Sequence, residues 1–299
     1  MPELNAEHSA YALHELLRHY DIALLVGLSK AAGKTTVLNA LIEASFAKGY
    51  PEPLAVTSIG QGGSIPETRL YPGMFAATAS GCLPDCDFTR KIYHMTGINT
   101  SLGEVAVVQA LSCGRIRLAG PAINSRLDGL LRYLKEDCGA VQIIVDGAGD
   151  RKTFAGTGAG AAVVLCAGAG ERAFYMEAAV QEIAHACRIM SIPAPPECDG
   201  NGAFTQIDGA LTIEAAQRIL EARINNGGIV NIAVSDPGKI FLDPASLDKL
   251  EERGLRIYAR NPVLLAAIAL NPEPFAPTEF IGRMREAVSV PVFDVVNNG

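Results

Sequence analysis

The chain has 299 residues, 49% hydrophobic and only 19% charged, a balance that excludes a disordered tail or fibrous repeat and allows one large α/β domain or two modest ones. Its formal net charge is −7, and the 25 basic residues lie scattered among 32 acidic ones, so no basic run offers itself to a nucleic-acid backbone. Glu3, Glu7, His8, Glu15, Arg18 and His19 interrupt any apolar signal core, and the uncharged run 159–170 is too short and too rich in Gly and Ala to span a bilayer, so a cytoplasmic protein without a membrane segment is expected.

In chain order, Ala10, Leu13, Leu16, Leu17 and Tyr20 recur at three- and four-residue spacing, one apolar face of a helix. Residues 22–26 are continuously apolar and run into a glycine turn, as a strand buried on both faces does, and 37–47 reads as a helix. The alternation continues with a strand at 54–57, a glycine-rich turn at 60–63, a helix at 127–135 and a strand at 141–145. This order predicts an α/β fold, a mostly parallel sheet flanked by helices with ligands at the carboxyl ends of its strands. Residues 65–120 are harder to parse and accommodate a hairpin or long loops.

The Pro- and Gly-rich interval 191–202 breaks both periodicities and divides the chain into a first domain, 1–195, and a smaller C-terminal α/β domain, 203–299. In the latter, Thr212 is placed to start a helix through Leu220, 229–234 reads as a strand, and 290–295 as a last one. A better-marked helix has Asp243 at the N-cap, Pro244 at its first position and Gly254 just past its end.

The strongest chemical signal is residues 27–36, GLSKAAGKTT, between the first strand and the helix after it. Small residues let a backbone close around phosphate oxygens and aim N–H groups and a helix N-terminus at the anion. Gly27, Ser29, Lys30, Ala31, Ala32, Gly33, Lys34, Thr35 and Thr36 are therefore the expected nucleotide-binding residues, with Lys34 on the β- and γ-phosphates and Thr35 on Mg²⁺. Leu28 stands where the usual four-residue spacing puts a glycine, so five residues separate Gly27 from Gly33. Lys30 is an extra cation within the loop, and is expected to assist Lys34 in catalysis.

A second acid must hold the magnesium shell, and Asp146 at the end of the 141–145 strand supplies one, although a strand-ending Asp in an ordinary turn has the same pattern. Arg151 and Lys152 fit either a role on the transferring phosphoryl group or an exposed basic pair, and 57–64 fits either a γ-phosphate sensor or a plain flexible loop. Seven cysteines, odd in number and dispersed, are the pattern of reduced thiols. Cys82 and Cys86, with Asp85, Asp87 and His94 nearby, match no standard zinc spacing. No nucleophile elbow, metalloprotease spacing or dehydrogenase fingerprint occurs.

The long loop spacing is similar to that of dethiobiotin synthetase and cobyric acid synthase. Taken together, SKAAGKTTVLNALIEASFAKG, VTSIGQGGS, TGINTSLGEVAVVQAL, LAGPAINSRL and VDGAGDRKTFAG resemble the P-loop ATPase subunit of the lysine 5,6-aminomutase reactivase system over about the first half of the chain. That resemblance implies ATP and Mg²⁺ as ligands, a second reactivase subunit and an adenosylcobalamin-dependent aminomutase as partners, and a repair role in which ATP hydrolysis helps exchange damaged cobalamin. Two other readings stay open: an ATP-dependent ligase of the dethiobiotin synthetase type, and a nucleotide-bound scaffold that does not hydrolyse.

Overall fold

The computed structural model describes residues 10–29, 32–47, 53–60, 67–147, 161–168, 175–196, 204–223, 229–271 and 276–295. The first part runs α1 (Ala10–Leu17), β1 (Ile22–Gly27), α2 (Lys34–Ala47), β2 (Leu54–Ser58), β3 (Glu67–Leu70), β4 (Phe75–Ala79), β5 (Arg90–Thr100), β6 (Gly103–Ala110), β7 (Gly114–Arg117), α3 (Asn124–Glu136), β8 (Gln142–Asp146) and β9 (Ala161–Gly168). Then come α4 (Met176–Met190), β10 (Thr205–Ile207), β11 (Leu211–Thr212), α5 (Ile213–Arg223), β12 (Val230–Val234), β13 (Ile240–Phe241), α6 (Pro244–Glu252), β14 (Leu255–Ala259), β15 (Leu264–Asn271), α7 (Pro277–Ala287) and β16 (Val292–Asp294).

A nine-stranded sheet, in the order β16-β15-β9-β1-β8-β2-β4-β6-β5, organises the molecule. From β16 to β4 neighbouring strands are parallel, and β6 and β5 extend the sheet antiparallel. The α/β expectation with a mostly parallel sheet is met. β1 is apolar throughout because its two faces serve two cores. Ala23 and Leu25 pack with Leu13, Leu17, Leu38 and Leu41 of α1 and α2, while Leu24 and Val26 pack with Leu127 and Leu131 of α3, Ile183 of α4 and Phe280 of α7. Each fully buried leucine contributes roughly 1.5–3 kcal/mol through its removal from water.

Within the stretch without a clear period, the described residues 67–120 form an antiparallel ribbon of β3 with β7, the strand β4 beside β2, and the β5–β6 hairpin at the edge of the large sheet. A second, three-stranded parallel sheet has the order β10-β12-β14 and its own core, with Leu211, Leu220, Ile232, Leu247 and Leu255. The Asp243 cap is made as expected: its carboxylate accepts from the Ser246 amide at 2.9 Å, and Pro244 opens α6.

The division at 203–299 needs correction. β15 pairs with β9 and β16 with β15, so the last part of the chain returns to the large sheet. The small sheet is thus an insertion whose strands end at Ala259. β15, LLAAIALN, is buried along most of its length because both its faces are covered, which hides the alternation that marks a strand at a surface. The same applies to β9, AAVVLCAG, which is buried along nearly its whole length within the uncharged run 159–170. Among the described residues no helix is long and apolar enough to cross a membrane.

Candidate phosphate and magnesium site

The site lies at the carboxyl ends of β1, β8 and β2, in a row fixed by register: Leu25 pairs with Asp146, and Asp146 with Ser58. β1 ends at Gly27, and α2 begins at Lys34, so Lys34, Thr35 and Thr36 form its first turn. The first-turn amide groups of a helix have no partner within the helix and carry the positive end of its dipole. The loop is stitched to the sheet where Leu28 N–H donates to the Cys166 carbonyl at 3.0 Å, and Val37 N–H closes the first α2 turn on the Gly33 carbonyl at 2.9 Å.

Two glycines have local reasons. A Cβ on Gly27 would stand 2.8 Å from the Lys34 Nζ and 3.0 Å from the Ser29 carbonyl, so the Lys34 ammonium is folded back over the start of the loop. Gly33 has φ +79°, a left-handed conformation that other residues adopt only with strain.

Thr35 Oγ1 donates to Asp146 Oδ2 at 3.3 Å. The other carboxylate oxygen, Asp146 Oδ1, is shut off from solvent and has no partner. Burial pushes the Asp146 carboxyl above the ordinary carboxylate range, against which the Lys34 charge and the Thr35 hydroxyl work. An ammonium, a hydroxyl and an underused carboxylate converging at a helix N-terminus are a donor set for a triphosphate and a hard divalent cation. The residues present fit Mg²⁺: Thr35 and Asp146 could offer it oxygen ligands, and the buried Asp146 Oδ1 accepts no hydrogen bond among the described residues.

No family model, no curated protein and no solved structure matches this chain.

Of the residues expected in the site, Gly27, Gly33, Lys34, Thr35 and Asp146 are brought together, Ala32 is buried beside them, and Ser29 and Thr36 are exposed at its rim. Lys30 and Ala31 lie outside the described residues, as do Gln61, Gly62, Gly63, Ser64, Arg151 and Lys152. The residues weighed for a metal are engaged elsewhere: Cys86 Sγ donates to the Cys82 carbonyl at 3.4 Å, Asp85 pairs with Arg117, and His94 stacks on Tyr133 with ring centroids 4.6 Å apart. Among the described residues no group of three or more His, Cys, Asp or Glu is placed to hold a metal ion.

Asn271 and Cys166 carried no signal in the sequence, whereas the 57–64 stretch and the small-residue turn at 118–121 did, and Ser58, Gly60 and that turn stand beside the site. Ser58 Oγ accepts from the Gly120 amide at 2.9 Å, and Gly60 N–H donates to the Pro121 carbonyl at 2.9 Å, which fastens 118–121 over the end of β2. A Cβ on Gly120 would collide with the Ser58 carbonyl, so the approach requires glycine. Asn271, at the end of β15, stands on the far side of the loop from Asp146, with its Cβ 3.9 Å from where a Gly33 side chain would begin. Cys166 forms the floor beside Gly27; complete burial pushes its thiol far above the ordinary range, which makes it inert as a nucleophile. Asn271 and Cys166 are near the site through strand order alone.

Proposed function

We propose that this chain is a P-loop NTPase that binds Mg-ATP on residues 27–36 and transfers the γ-phosphoryl group to water. The observation that carries the reading is the Thr35–Asp146 hydrogen bond at 3.3 Å, which brings the first turn of α2 and the end of β8 to one point beside the Lys34 ammonium. A fortuitous Gly-Lys-Thr in a turn has no reason to meet a buried carboxylate 111 residues away.

In this reading the loop amides and the α2 N-terminus bind the phosphates, and Lys34, with Lys30, neutralises the charge that builds on the γ-phosphate oxygens. Water attacks phosphorus in line, the bond to the bridging β-phosphate oxygen breaks, and ADP and phosphate leave. Thr35 and Asp146 are the residues that would hold Mg²⁺, which would supply further neutralisation of the phosphate charge. The bonds from Gly120 to Ser58 and from Gly60 to Pro121 fasten the strand end beside Asp146.

The partner assignment is the next step of the proposal and rests on the resemblance alone: a reactivating subunit for an adenosylcobalamin-dependent lysine 5,6-aminomutase, acting with a second subunit. Phosphate release from ATP, measured with the chain alone and then with aminomutase and second subunit added, tests both steps. Slow Mg²⁺-dependent turnover that the partners stimulate is expected. Turnover that requires a small carboxylic acid or diamine instead would replace the reactivase by a ligase.

A further inference from the structure

α4 has two lined faces. Ala186, Ile189 and Met190 share a small cavity with Val26, Gly27 and Leu28 at the start of the glycine loop, and Pro237 and Gly238 of the insertion close it. The opposite face, through Gln181, Ala184, His185 and Arg188, lines a second and much larger cavity of about 740 Å³ between α4, β14 and the end of α7. That volume lies in the range of small-molecule sites, which favour the junction of two packed units.

The walls of the large cavity define a ligand. Ile192, Ile257 and Val288 give it apolar surface. Two guanidinium groups reach it, and they differ. Arg188 is neutralised by Asp248 at 2.6 Å and Glu251 at 2.7 Å. Arg256 meets no carboxylate among the described residues: its Nη1 donates to the backbone carbonyls of Glu251 at 3.0 Å and Leu255 at 2.9 Å, which anchor the side chain and leave Nη2 and Nε to other acceptors. A planar guanidinium anchored on backbone carbonyls, with no carboxylate partner of its own among the described residues and beside apolar walls, suits a carboxylate on an apolar body. His185 Nε2 binds the Leu242 carbonyl at 2.8 Å, tying α4 to the insertion so that a ligand wedged between the two must act on both.

We propose that this cavity binds a small organic monoanion with an apolar body, held by Arg256, and that its occupancy alters nucleotide affinity by shifting α4 beneath the Gly27–Leu28 backbone. The binding half stands on the cavity alone; the effect on nucleotide rests on the P-loop reading above.

Titration calorimetry of the full chain with 2-naphthoate tests it. One saturable site is expected, weakened about tenfold or more by Arg256→Gln, the scale of a lost charge-assisted hydrogen bond. Ala184→Leu, which fills the cavity without touching charge, weakens it too, and Lys34→Ala leaves it unchanged. Saturating naphthoate changes ATP affinity by threefold or more. Absence of saturable binding, or binding that both Arg256→Gln and Ala184→Leu leave within twofold of the parent, overturns the site. Binding with unaltered ATP affinity overturns the coupling. If ATP fails to bind at all, the nucleotide reading falls while the naphthoate isotherm still decides the cavity.

Discussion

β8 and β12 are built alike. Both are strands of parallel sheets with buried residues along most of their length, and each is followed or ended by an aspartate, Asp146 or Asp236, that has one carboxylate oxygen shut from solvent without a partner. Their surroundings differ. Asp146 faces a glycine loop, a helix N-terminus and the Lys34 charge across one strand spacing. Asp236, 5% exposed, accepts from its neighbour Ser235 at 2.8 Å and runs into a single 3-10 turn at Pro237–Lys239. A carboxylate at a strand end is therefore a common product of α/β folding, and the loop and helix facing it decide whether it can take part in phosphate chemistry.

The largest expected effect separates the two ends. Lys34→Ala is predicted to lower ATP affinity about 100-fold, roughly 3 kcal/mol, through loss of charge-assisted bonds to phosphate; equilibrium binding of a fluorescent ATP analogue measures it, and an unchanged constant would remove the basis for distinguishing Asp146 from Asp236.

Asp146→Asn is predicted to abolish the Mg²⁺ dependence of nucleotide binding while leaving the empty protein at least as stable as the parent. The sign follows from the raised Asp146 carboxyl. The folded chain keeps that proton to higher pH than the unfolded chain, so stability falls as pH rises from the ordinary carboxylate range through the raised folded value. The asparagine variant lacks that fall, which denaturant melts across this pH window check. A variant that melts earlier at every pH would mean that the carboxylate is a structural support.

Much of this was legible in the sequence, for definite reasons. β1, α2 and β8 were readable because continuous apolar runs of strand length end in glycine turns at Gly27 and Gly147, and because α2 follows the 27–33 loop directly. The Asp243 cap was readable because capping is a property of four consecutive residues. β9 and β15 were not: each is a continuous apolar run like β1, but neither leads into a glycine loop with a chemical pattern that marks it as a strand, and a short apolar run alone does not tell a buried strand from a buried helix segment. Without them the return of the chain to the large sheet was invisible. Asn271 and Cys166 flank the loop only because β15 and β9 follow β1 in sheet order, a long-range fact that no window of sequence contains.

Two smaller effects sharpen the contrast on the side of the insertion. Asp243→Ala is predicted to cost about 1 kcal/mol of stability through the lost helix cap, seen in denaturant melts, with ATP affinity unchanged. Asp236→Asn should leave ATP affinity within about twofold, since that carboxylate accepts from Ser235 and forms no ion pair among the described residues. Loss of nucleotide binding in this variant would break the contrast between the two strand ends.

The central claim, that the 27–36 loop and Asp146 act together on a Mg-triphosphate, is met most directly by calorimetric titration of ATP, with and without Mg²⁺, into the parent chain and Asp146→Asn. The account predicts tighter binding with Mg²⁺ in the parent and the same weaker constant with or without Mg²⁺ in the variant. No binding by the parent, or an equal gain from Mg²⁺ in both proteins, would contradict it.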